Sequence, residues 1–235
     1  NLGQGVANDD WVGRAAPRED YPGYVAGTDI VSFDVYPVSG IRKEDGERFL
    51  WYVAKGVDSL RVWSDGRKIV WNVIETTRIN ADRGPTPDQV RSEVWMSIIH
   101  GSQGIVYFAH EWNPVFREAR LLEDEAMRQG VGRINAQIHR LAPVLNAGTG
   151  SVQVSVATDP SEIPVDVMVR EANGELYVFA VSMRQEAASA TFSLVGGDER
   201  DLVEVVDEDR SLQLTQGSFT DHFTPYEVHI YRLSR

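Results

Sequence analysis

Short apolar runs alternate with helical patterns through residues 1–145, and this alternation constrains the fold more than any other feature of the chain. Each run ends in polar residues, as strands of a parallel sheet do before their crossover helices. The repeated order of strand and helix predicts βαβ units and therefore an α/β fold. The four predicted strands lie at residues 2–6, 29–36, 68–75 and 104–109.

One helix between these strands carries a strong start signal. Thr86 and Gln89 have the spacing of a capping box, and Pro87 suits the first helical position. This helix and two others are predicted from stripes of apolar residues along one helix face. The stripes are Val90, Val94 and Ile98; Leu50, Val53, Val57 and Leu60 within residues 47–63; and Val131, Ile134, Ile138 and Leu141. The last of these helices is expected to end at or before Pro143.

The pattern changes after residue 147. Alternating strands follow one another, separated by turn signals such as Asn173-Gly174. Their spacing predicts a small antiparallel β-sandwich over residues 148–235, distinct from an α/β domain over residues 1–147. The predicted strands of this second domain lie at residues 151–156, 165–169, 176–181, 190–194 and 227–233.

The composition excludes several classes of function. A formal charge of −12 argues against a nucleic-acid partner, because phosphate recognition needs clustered lysine and arginine. No stretch approaches the unbroken apolar length of a membrane span. The chain has no cysteine, and it contains neither the ligand spacing of a metal site nor the glycine fingerprint of dinucleotide binding. We therefore expect no metal, cofactor, nucleic acid or membrane partner.

A carboxylate ends the third predicted strand. Residues 69–74 are apolar apart from Asn72, and Glu75 follows at the carboxyl end of the run, where α/β folds place their chemistry. Glu75 is therefore the first candidate for a catalytic residue. An ordinary strand-end glutamate paired with a nearby arginine or lysine explains this segment equally well.

Strand alternation predicts neighbours for Glu75. Trp71 shares a face with Glu75, while Asp34 and Tyr36 share a face of the neighbouring strand. If these two faces point to the same side of the sheet, the Tyr36 hydroxyl would donate a hydrogen bond to Glu75 and keep its carboxyl group ionised. In the alternative interpretation Tyr36 is only packed and Asp34 only caps a turn.

The order of these segments resembles the C-terminal half of retaining glycoside hydrolases built on a (β/α)8 barrel. The resemblance implies that residues 1–147 form about four βα units of such a barrel and that residues 148–235 form its appended β-sandwich. The segments that carry it are Asp34-Val35-Tyr36-Pro37, Trp71-Asn72-Val73-Ile74-Glu75, the helix Val90–His100, Gly104-Ile105-Val106-Tyr107-Phe108, and Tyr226-Glu227-Val228-His229-Ile230-Tyr231.

The resemblance also implies roles for residues. In that clan the nucleophilic glutamate ends the seventh strand and the acid/base glutamate ends the fourth, which implies that Glu75 is the nucleophile and that the proton donor lies upstream of Asn1. Trp112 is the expected sugar platform, because an indole offers a flat apolar face; a lid over the core is the alternative. The predicted substrate-binding residues are Gln4, Asn8, Asp34, Tyr36, Trp71, Asn72, His110, Glu111 and Trp112.

Three functional hypotheses follow. The first is a fragment of a retaining glycoside hydrolase acting on an oligo- or polysaccharide. We expect it to be inactive alone because retention needs two carboxyl groups about 5 Å apart, although Glu111 is an alternative proton donor. We also expect open sheet edges to favour a homodimer. The second hypothesis is a non-catalytic carbohydrate-binding protein with the same fold, and the third is another α/β enzyme with Glu75 as general base.

Overall fold

The computed structural model describes residues 1–9, 18–41, 45–195 and 202–234. These residues form two compact units, Asn1–Gly132 and Arg133–Arg235. Among them, no helix has the combination of length and apolar content that crossing a bilayer requires. The described elements combine one parallel sheet with two antiparallel sheets, so the chain is a mixed α/β structure.

The first unit is built on a three-stranded parallel sheet. In chain order its elements are α1 (Tyr21–Ala26), β1 (Ile30–Asp34), α2 (Tyr52–Trp63), β2 (Ile69–Glu75), α3 (Pro87–Ile99), β3 (Gly104–Phe108), α4 (Arg120–Glu123) and the start of α5 (Glu125–Leu145). The strands lie in the order β1-β2-β3, with every pairing parallel. Since α2 and α3 connect successive strands, the predicted βαβ units are confirmed.

The strand predicted at residues 2–6 is wrong beyond Leu2. Leu2 makes an isolated parallel bridge to Phe33, and Gln4–Val6 forms a 3-10 helix. The backbone N–H groups of Val6 and Ala7 donate back to Gly3 and Gln4, both at 3.1 Å. These short-range bonds use the backbone groups that a longer fourth strand would have offered to β1.

The capping box at the start of α3 is confirmed. The backbone N–H of Gln89 donates to the Thr86 hydroxyl at 3.2 Å, and the Gln89 side chain accepts from the Thr86 N–H at 2.9 Å. Two N-terminal backbone donors are thereby satisfied. The fixed start of α3 sets the register of the residues that this helix presents to the sheet.

The predicted end of the following long helix at or before Pro143 is wrong. Helix α5 continues through Pro143 to Leu145. A proline near the carboxyl end of a helix removes only its own hydrogen bond, and the helical bonding resumes beyond it, with the Asn146 N–H donating to Ala142 at 3.1 Å. The start of α5 is capped by Asp124, which accepts from the Met127 N–H at 3.0 Å.

The second unit contains two antiparallel sheets that share a core. Their strands are β4 (Gln153–Asp159), β5 (Val165–Ala172), β6 (Glu175–Ser182), β7 (Ala188–Val195), β8 (Leu202–Val205), β9 (Arg210–Gln213), β10 (Ser218–Phe223) and β11 (Val228–Leu233). The sheet orders are β10-β7-β4 and β5-β6-β11-β8-β9. Rings from both sheets meet in the core, where the Phe192 and Tyr231 centroids lie 5.2 Å apart.

The sequence predicted five strands of this unit and did not predict β8, β9 and β10. The turn Asn173-Gly174 between β5 and β6 is confirmed, with positive φ angles of 54° and 81°. Strands β8 and β9 have four residues each, which is too short for apolar alternation to stand out. Their pairing with β11 and with each other fixes them instead.

A close contact between α2 and β1 generates the first testable prediction. A methyl group added at Gly56 would overlap the ring of Phe33, which has no exposed surface. We expect Gly56→Ala to lower the free energy of unfolding by about 1–3 kcal/mol through overpacking, despite the better helix propensity of alanine. Urea unfolding measures the change.

Gly132 is the matched control for Gly56. It also lies inside a helix, but no atom is within 4 Å of its added methyl group. Gly132→Ala should therefore leave the stability unchanged or raise it by up to about 1 kcal/mol. Equal effects of the two substitutions would contradict the tight packing of α2 on Phe33.

Candidate functional site

The carboxyl ends of the three parallel strands meet at one edge of the sheet. β1 ends at Asp34, β2 at Glu75 and β3 at Phe108. Parallel pairing brings the segments that follow these strands to the same side. The segment after β1 forms a π-helical turn at Pro37–Ile41, and the segment after β3 carries residues 110–112. Most of the candidate residues therefore lie at this edge.

Glu75 has no exposed surface, and the turn after β1 holds its carboxyl group. The backbone N–H of Val38 donates to Oε1 at 2.6 Å, and that of Ser39 donates to Oε2 at 2.7 Å. Strand alternation would expose Glu75 together with Trp71, yet only Trp71 is exposed. The two backbone donors account for this departure, because a carboxylate removed from water requires hydrogen bonds.

A second buried carboxyl group, which the sequence did not reveal, lies against Glu75. Glu93 of α3 has no exposed surface, and neither of its oxygens meets a donor group among the described residues. Its carboxyl group interacts instead with that of Glu75. Two carboxyl groups can share a hydrogen bond only when one of them is protonated.

The two carboxyl groups differ in their environments. Burial raises the pKa of Glu93 well above its ordinary value, and the charge of Glu75 adds to the rise. Burial also raises the pKa of Glu75, while the backbone hydrogen bonds from Val38 and Ser39 and the interaction with Glu93 lower it. Because backbone donors favour the charged form, Glu75 ionises more readily than Glu93.

Tyr36 lies beside Asp34 and Glu75. Burial raises the pKa of Tyr36 far above its ordinary value, and the neighbouring charges of Asp34 and Glu75 act in the same direction. The Tyr36 ring packs on Phe108 with centroids 5.4 Å apart. The structure thus brings Asp34, Tyr36 and Glu75 together, and the hydrogen bond from the Tyr36 hydroxyl to Glu75 stays a prediction.

Glu111 is held in ion pairs. Its Oε1 and Oε2 accept from Nη2 and Nε of Arg78 at 3.1 and 3.3 Å, and Nε of Arg120 lies 3.7 Å from Oε2. The Glu111 side chain is buried. Guanidinium groups occupy both carboxylate oxygens, which leaves Glu111 poorly suited to the role of proton donor.

Two aromatic side chains form an exposed pair after β3. Trp112 is 53% exposed and Phe116 is 52% exposed, and their ring centroids lie 4.9 Å apart. His110 lies next to this pair, with its ring 5.8 Å from Phe116 and its Nδ1 accepting from the Ala119 N–H at 3.2 Å. Phe116 was not identified from the sequence. Its position four residues after Trp112 in the same loop is the signal that could have found it.

The remaining candidates separate into two groups. Trp71 lies on the open face of the sheet, across the position where Gly104 has no side chain to obstruct the indole. Asn72 is fully buried on the opposite face, where its Nδ2 donates to the Ser97 hydroxyl of α3 at 2.8 Å. The sheet therefore separates Asn72 from the other candidates.

Gln4 and Asn8 are partly buried in and just after the first 3-10 helix. The Asn8 N–H donates to the Gln4 carbonyl at 2.8 Å. The side-chain oxygen of Gln4 is buried, and no donor among the described residues meets it. Gln4 lies close to Gly40 of the turn that holds Glu75, so it borders the site.

Charged groups in the second unit are paired with one another. Arg210 binds Asp221 through two bonds of 2.9 and 2.8 Å, and His229 lies 2.6 Å from Glu208. In the described parts of the chain, no group of three or more histidine, aspartate or glutamate side chains is arranged to hold a metal ion. These pairs stabilise the β-strands that carry them.

The comparisons with known proteins identify the fold alone. No family model matches the chain, and no curated protein matches it. Among solved structures, a catalytic mutant of a GH42 β-galactosidase from G. stearothermophilus matches at 10% identity and a TM-score of 0.53, over 92% of this chain and 61% of that chain.

Two further structures match. AmyP in complex with maltose matches at 8% identity and a TM-score of 0.50, over 86% of this chain and 54% of that chain. A noncanonic maltogenic α-amylase, AmyB from Thermotoga neapolitana, matches at 12% identity and a TM-score of 0.50, over 91% of this chain and 53% of that chain. The chain thus spans between 53% and 61% of the length of these three solved chains, and its likeness to them is one of fold.

The shared proton makes stability depend on pH. Because the pKa of Glu93 is raised in the folded state, the folded protein keeps a proton that the unfolded chain loses above the ordinary value of 4.5. The wild-type free energy of unfolding therefore falls as pH rises toward the folded pKa. Glutamine does not titrate, so the stability of Glu93→Gln relative to wild type should rise by about 1.4 kcal/mol per pH unit in this window.

Urea unfolding of both proteins at a series of pH values measures this difference. Glu118→Gln, which replaces an exposed glutamate, controls for the general loss of a carboxyl group. A constant difference between wild type and Glu93→Gln from mildly acidic to neutral pH would show that Glu93 does not hold the proton.

Proposed function

We propose that this chain is the C-terminal part of a retaining glycoside hydrolase and that Glu75 is its nucleophile. The observation that carries the proposal is the Glu75 carboxyl group, which lies at the carboxyl end of a parallel strand and interacts with the buried carboxyl group of Glu93. Chemistry in α/β folds occurs at this edge of the sheet. The glycoside hydrolase fold of the solved neighbours agrees with this assignment.

The cost of the carboxyl pair supports a functional role. Neither Glu75 nor Glu93 forms an ion pair with a lysine or arginine among the described residues, and both are fully buried. Burying a charge without a counter-ion costs several kcal/mol by order of magnitude, so a purely structural site would be more stable with apolar residues. Such unfavourable arrangements concentrate at sites that carry chemistry.

In the proposed reaction, a Glu75 oxygen attacks the anomeric carbon and forms the glycosyl–enzyme ester as the bond to the leaving oxygen breaks. A second carboxyl group protonates that oxygen and later activates water. Glu111 is held by arginines, and Glu93 lies behind Glu75. We therefore assign the proton donor to a part of the protein outside these residues, and we expect this chain alone to leave unactivated glycosides intact.

Access to Glu75 requires movement of the turn at Pro37–Ile41. Both oxygens of Glu75 accept backbone bonds from this turn, and the side chain has no exposed surface. Because the side chain is enclosed, a sugar can reach a Glu75 oxygen only after the turn has moved. The turn therefore gates the nucleophile, as loops over other active sites do.

The sugar would lie on the exposed aromatic pair, Trp112 and Phe116. Flat indole and phenyl faces suit the apolar side of a pyranose ring. Asp34, Gln4 and His110 border the same edge and offer polar groups for the hydroxyls. We propose an oligo- or polysaccharide as the substrate on these grounds.

The open face of the parallel sheet supports the assignment of a partial barrel. Four apolar side chains on this face are each between 38% and 42% exposed, and by strand register they share one side. Proteins cover such a surface, and in a complete barrel the remaining strands would do so. The four exposed side chains on this face are Ile30, Ile69, Trp71 and Val106. A homodimer closed across this face remains a prediction.

A non-catalytic carbohydrate-binding protein is the second candidate, and the complete burial of Glu75 favours it. A carboxylate that never becomes accessible would only anchor the turn after β1. The aromatic pair would still bind sugar in that case. The two candidates therefore differ in one property, the reactivity of Glu75.

Covalent labelling distinguishes the two candidates without a proton donor. Dinitrophenyl glycosides fluorinated next to the anomeric carbon release dinitrophenolate unprotonated, and the fluorine slows hydrolysis of the ester that forms. We expect one reagent from a panel of common hexoses and pentoses, in both anomeric configurations, to add a single fluoroglycosyl group to Glu75. Intact-mass and peptide mass spectrometry detect the product.

The controls are Glu75→Gln, which should not be labelled, and Glu111→Gln, which should be labelled as wild type is. Absence of label from every reagent, in protein that is folded by circular dichroism, would reject the nucleophile and leave the non-catalytic candidate. Turnover of unactivated aryl glycosides by this chain, lost in Glu75→Gln, would reject the assignment of the proton donor to another part of the protein.

A further inference from the structure

Glu93 is buried beside the proposed nucleophile and has no other described partner. Both of its oxygens lie out of solvent with no donor group near them. A carboxylate in this position would be both unsolvated and next to the Glu75 charge. A neutral carboxyl group avoids both penalties, and its proton can be donated only toward Glu75.

We infer that Glu93 is a positioning residue for Glu75: it retains a proton at neutral pH and donates it in a hydrogen bond to the Glu75 carboxylate. The inference rests on the proposed role of Glu75 and adds a residue of α3 to the site. Glu93 does not touch the sugar. It acts by fixing where the Glu75 carboxylate stands and by keeping it the charged member of the pair.

This bond matters most when the turn at Pro37–Ile41 opens. With the turn closed, Glu75 is held by the N–H groups of Val38 and Ser39. Both N–H groups belong to the turn, so they move with it when it opens. The bond from Glu93 comes from α3, not from the turn, so it persists and keeps the carboxylate oriented for attack.

The capped and packed helix gives Glu93 a fixed origin. The capping box at Thr86 and Gln89 sets the start of α3. One turn after Glu93, the Ser97 hydroxyl donates to the Glu93 carbonyl at 2.7 Å and accepts from Asn72 of β2 at 2.8 Å. This bridge ties the helix to the same strand that ends in Glu75.

The inference predicts that the rate at which Glu75 is labelled declines at alkaline pH. Ionisation of Glu93 would remove the bond to Glu75 and place a second negative charge beside it. Among the described residues, the charged or titratable groups near the pair are few. The charge of Glu75 acts on Tyr36, and the Asp58–His100 pair, with a contact of 2.9 Å, joins α2 to the far end of α3. His100 is seven residues from Glu93, which corresponds to about 10 Å along the helix.

The rate at which the fluorinated dinitrophenyl glycoside labels Glu75, measured against pH, tests this role. Glutamine at position 93 still donates a hydrogen bond but does not titrate. Glu93→Gln should label within about threefold of the wild-type rate at neutral pH and should lose the alkaline decline that wild type shows. Glu93→Ala removes the donor and should label roughly 10- to 100-fold more slowly.

Each outcome gives a decision. Failure of wild type to label rejects the role of Glu75 and the positioning role with it. Labelling of wild type with an alkaline decline that persists unchanged in Glu93→Gln rejects the role of Glu93 alone. If Glu93→Ala does not fold by circular dichroism, the pH profile of Glu93→Gln decides. Glu118→Gln is the control and should match wild type throughout.

Discussion

The hydrogen bonds around Glu75 are the interaction on which the functional interpretation depends. The turn after β1 supplies two backbone donors, and α3 supplies the buried carboxyl group of Glu93, whose pKa is raised by burial. Strand, turn and helix therefore meet at the Glu75 carboxyl group. This group has no lysine or arginine partner among the described residues, so hydrogen bonds compensate for its burial.

The fold of the first unit was largely predictable because its signals are local. The spacing of Thr86, Pro87 and Gln89 fixed the start of α3, and the apolar run before Glu75 fixed β2. The interpretation of Leu2–Val6 as a strand was wrong because two glycines in this segment permit a 3-10 turn, which uses its own backbone groups. In the second unit, β8 and β9 were missed because four residues each are too few for apolar alternation to stand out.

The candidate site was partly predictable. Alternation placed Asp34, Tyr36 and Glu75 at one edge, yet it could not show that Glu75 would be enclosed, because the Pro37–Ile41 turn comes from another strand. Glu93 was missed because a helical stripe is conventionally judged by its apolar members. It stands three residues after Val90, on the buried side of α3, so a charged residue in that stripe was the available signal.

Likeness of fold to the solved neighbours does not by itself decide the function of this chain. The solved neighbours include a β-galactosidase and an α-amylase, and barrels of one architecture support many reactions through their loops. In this chain a turn covers the proposed nucleophile, and an exposed aromatic pair follows β3 at the same edge of the sheet. Substrate preference would follow from the second feature and reactivity from the first.

Infrared spectroscopy of the protein in heavy water tests the shared proton most directly, because a protonated carboxyl group absorbs apart from a carboxylate. The account predicts a band from one neutral buried carboxyl group at neutral pH in wild type. The band should vanish in Glu93→Gln and remain in Glu111→Gln. Absence of the band in folded wild-type protein, or its persistence in Glu93→Gln, would contradict a pair in which Glu93 is neutral and Glu75 is charged.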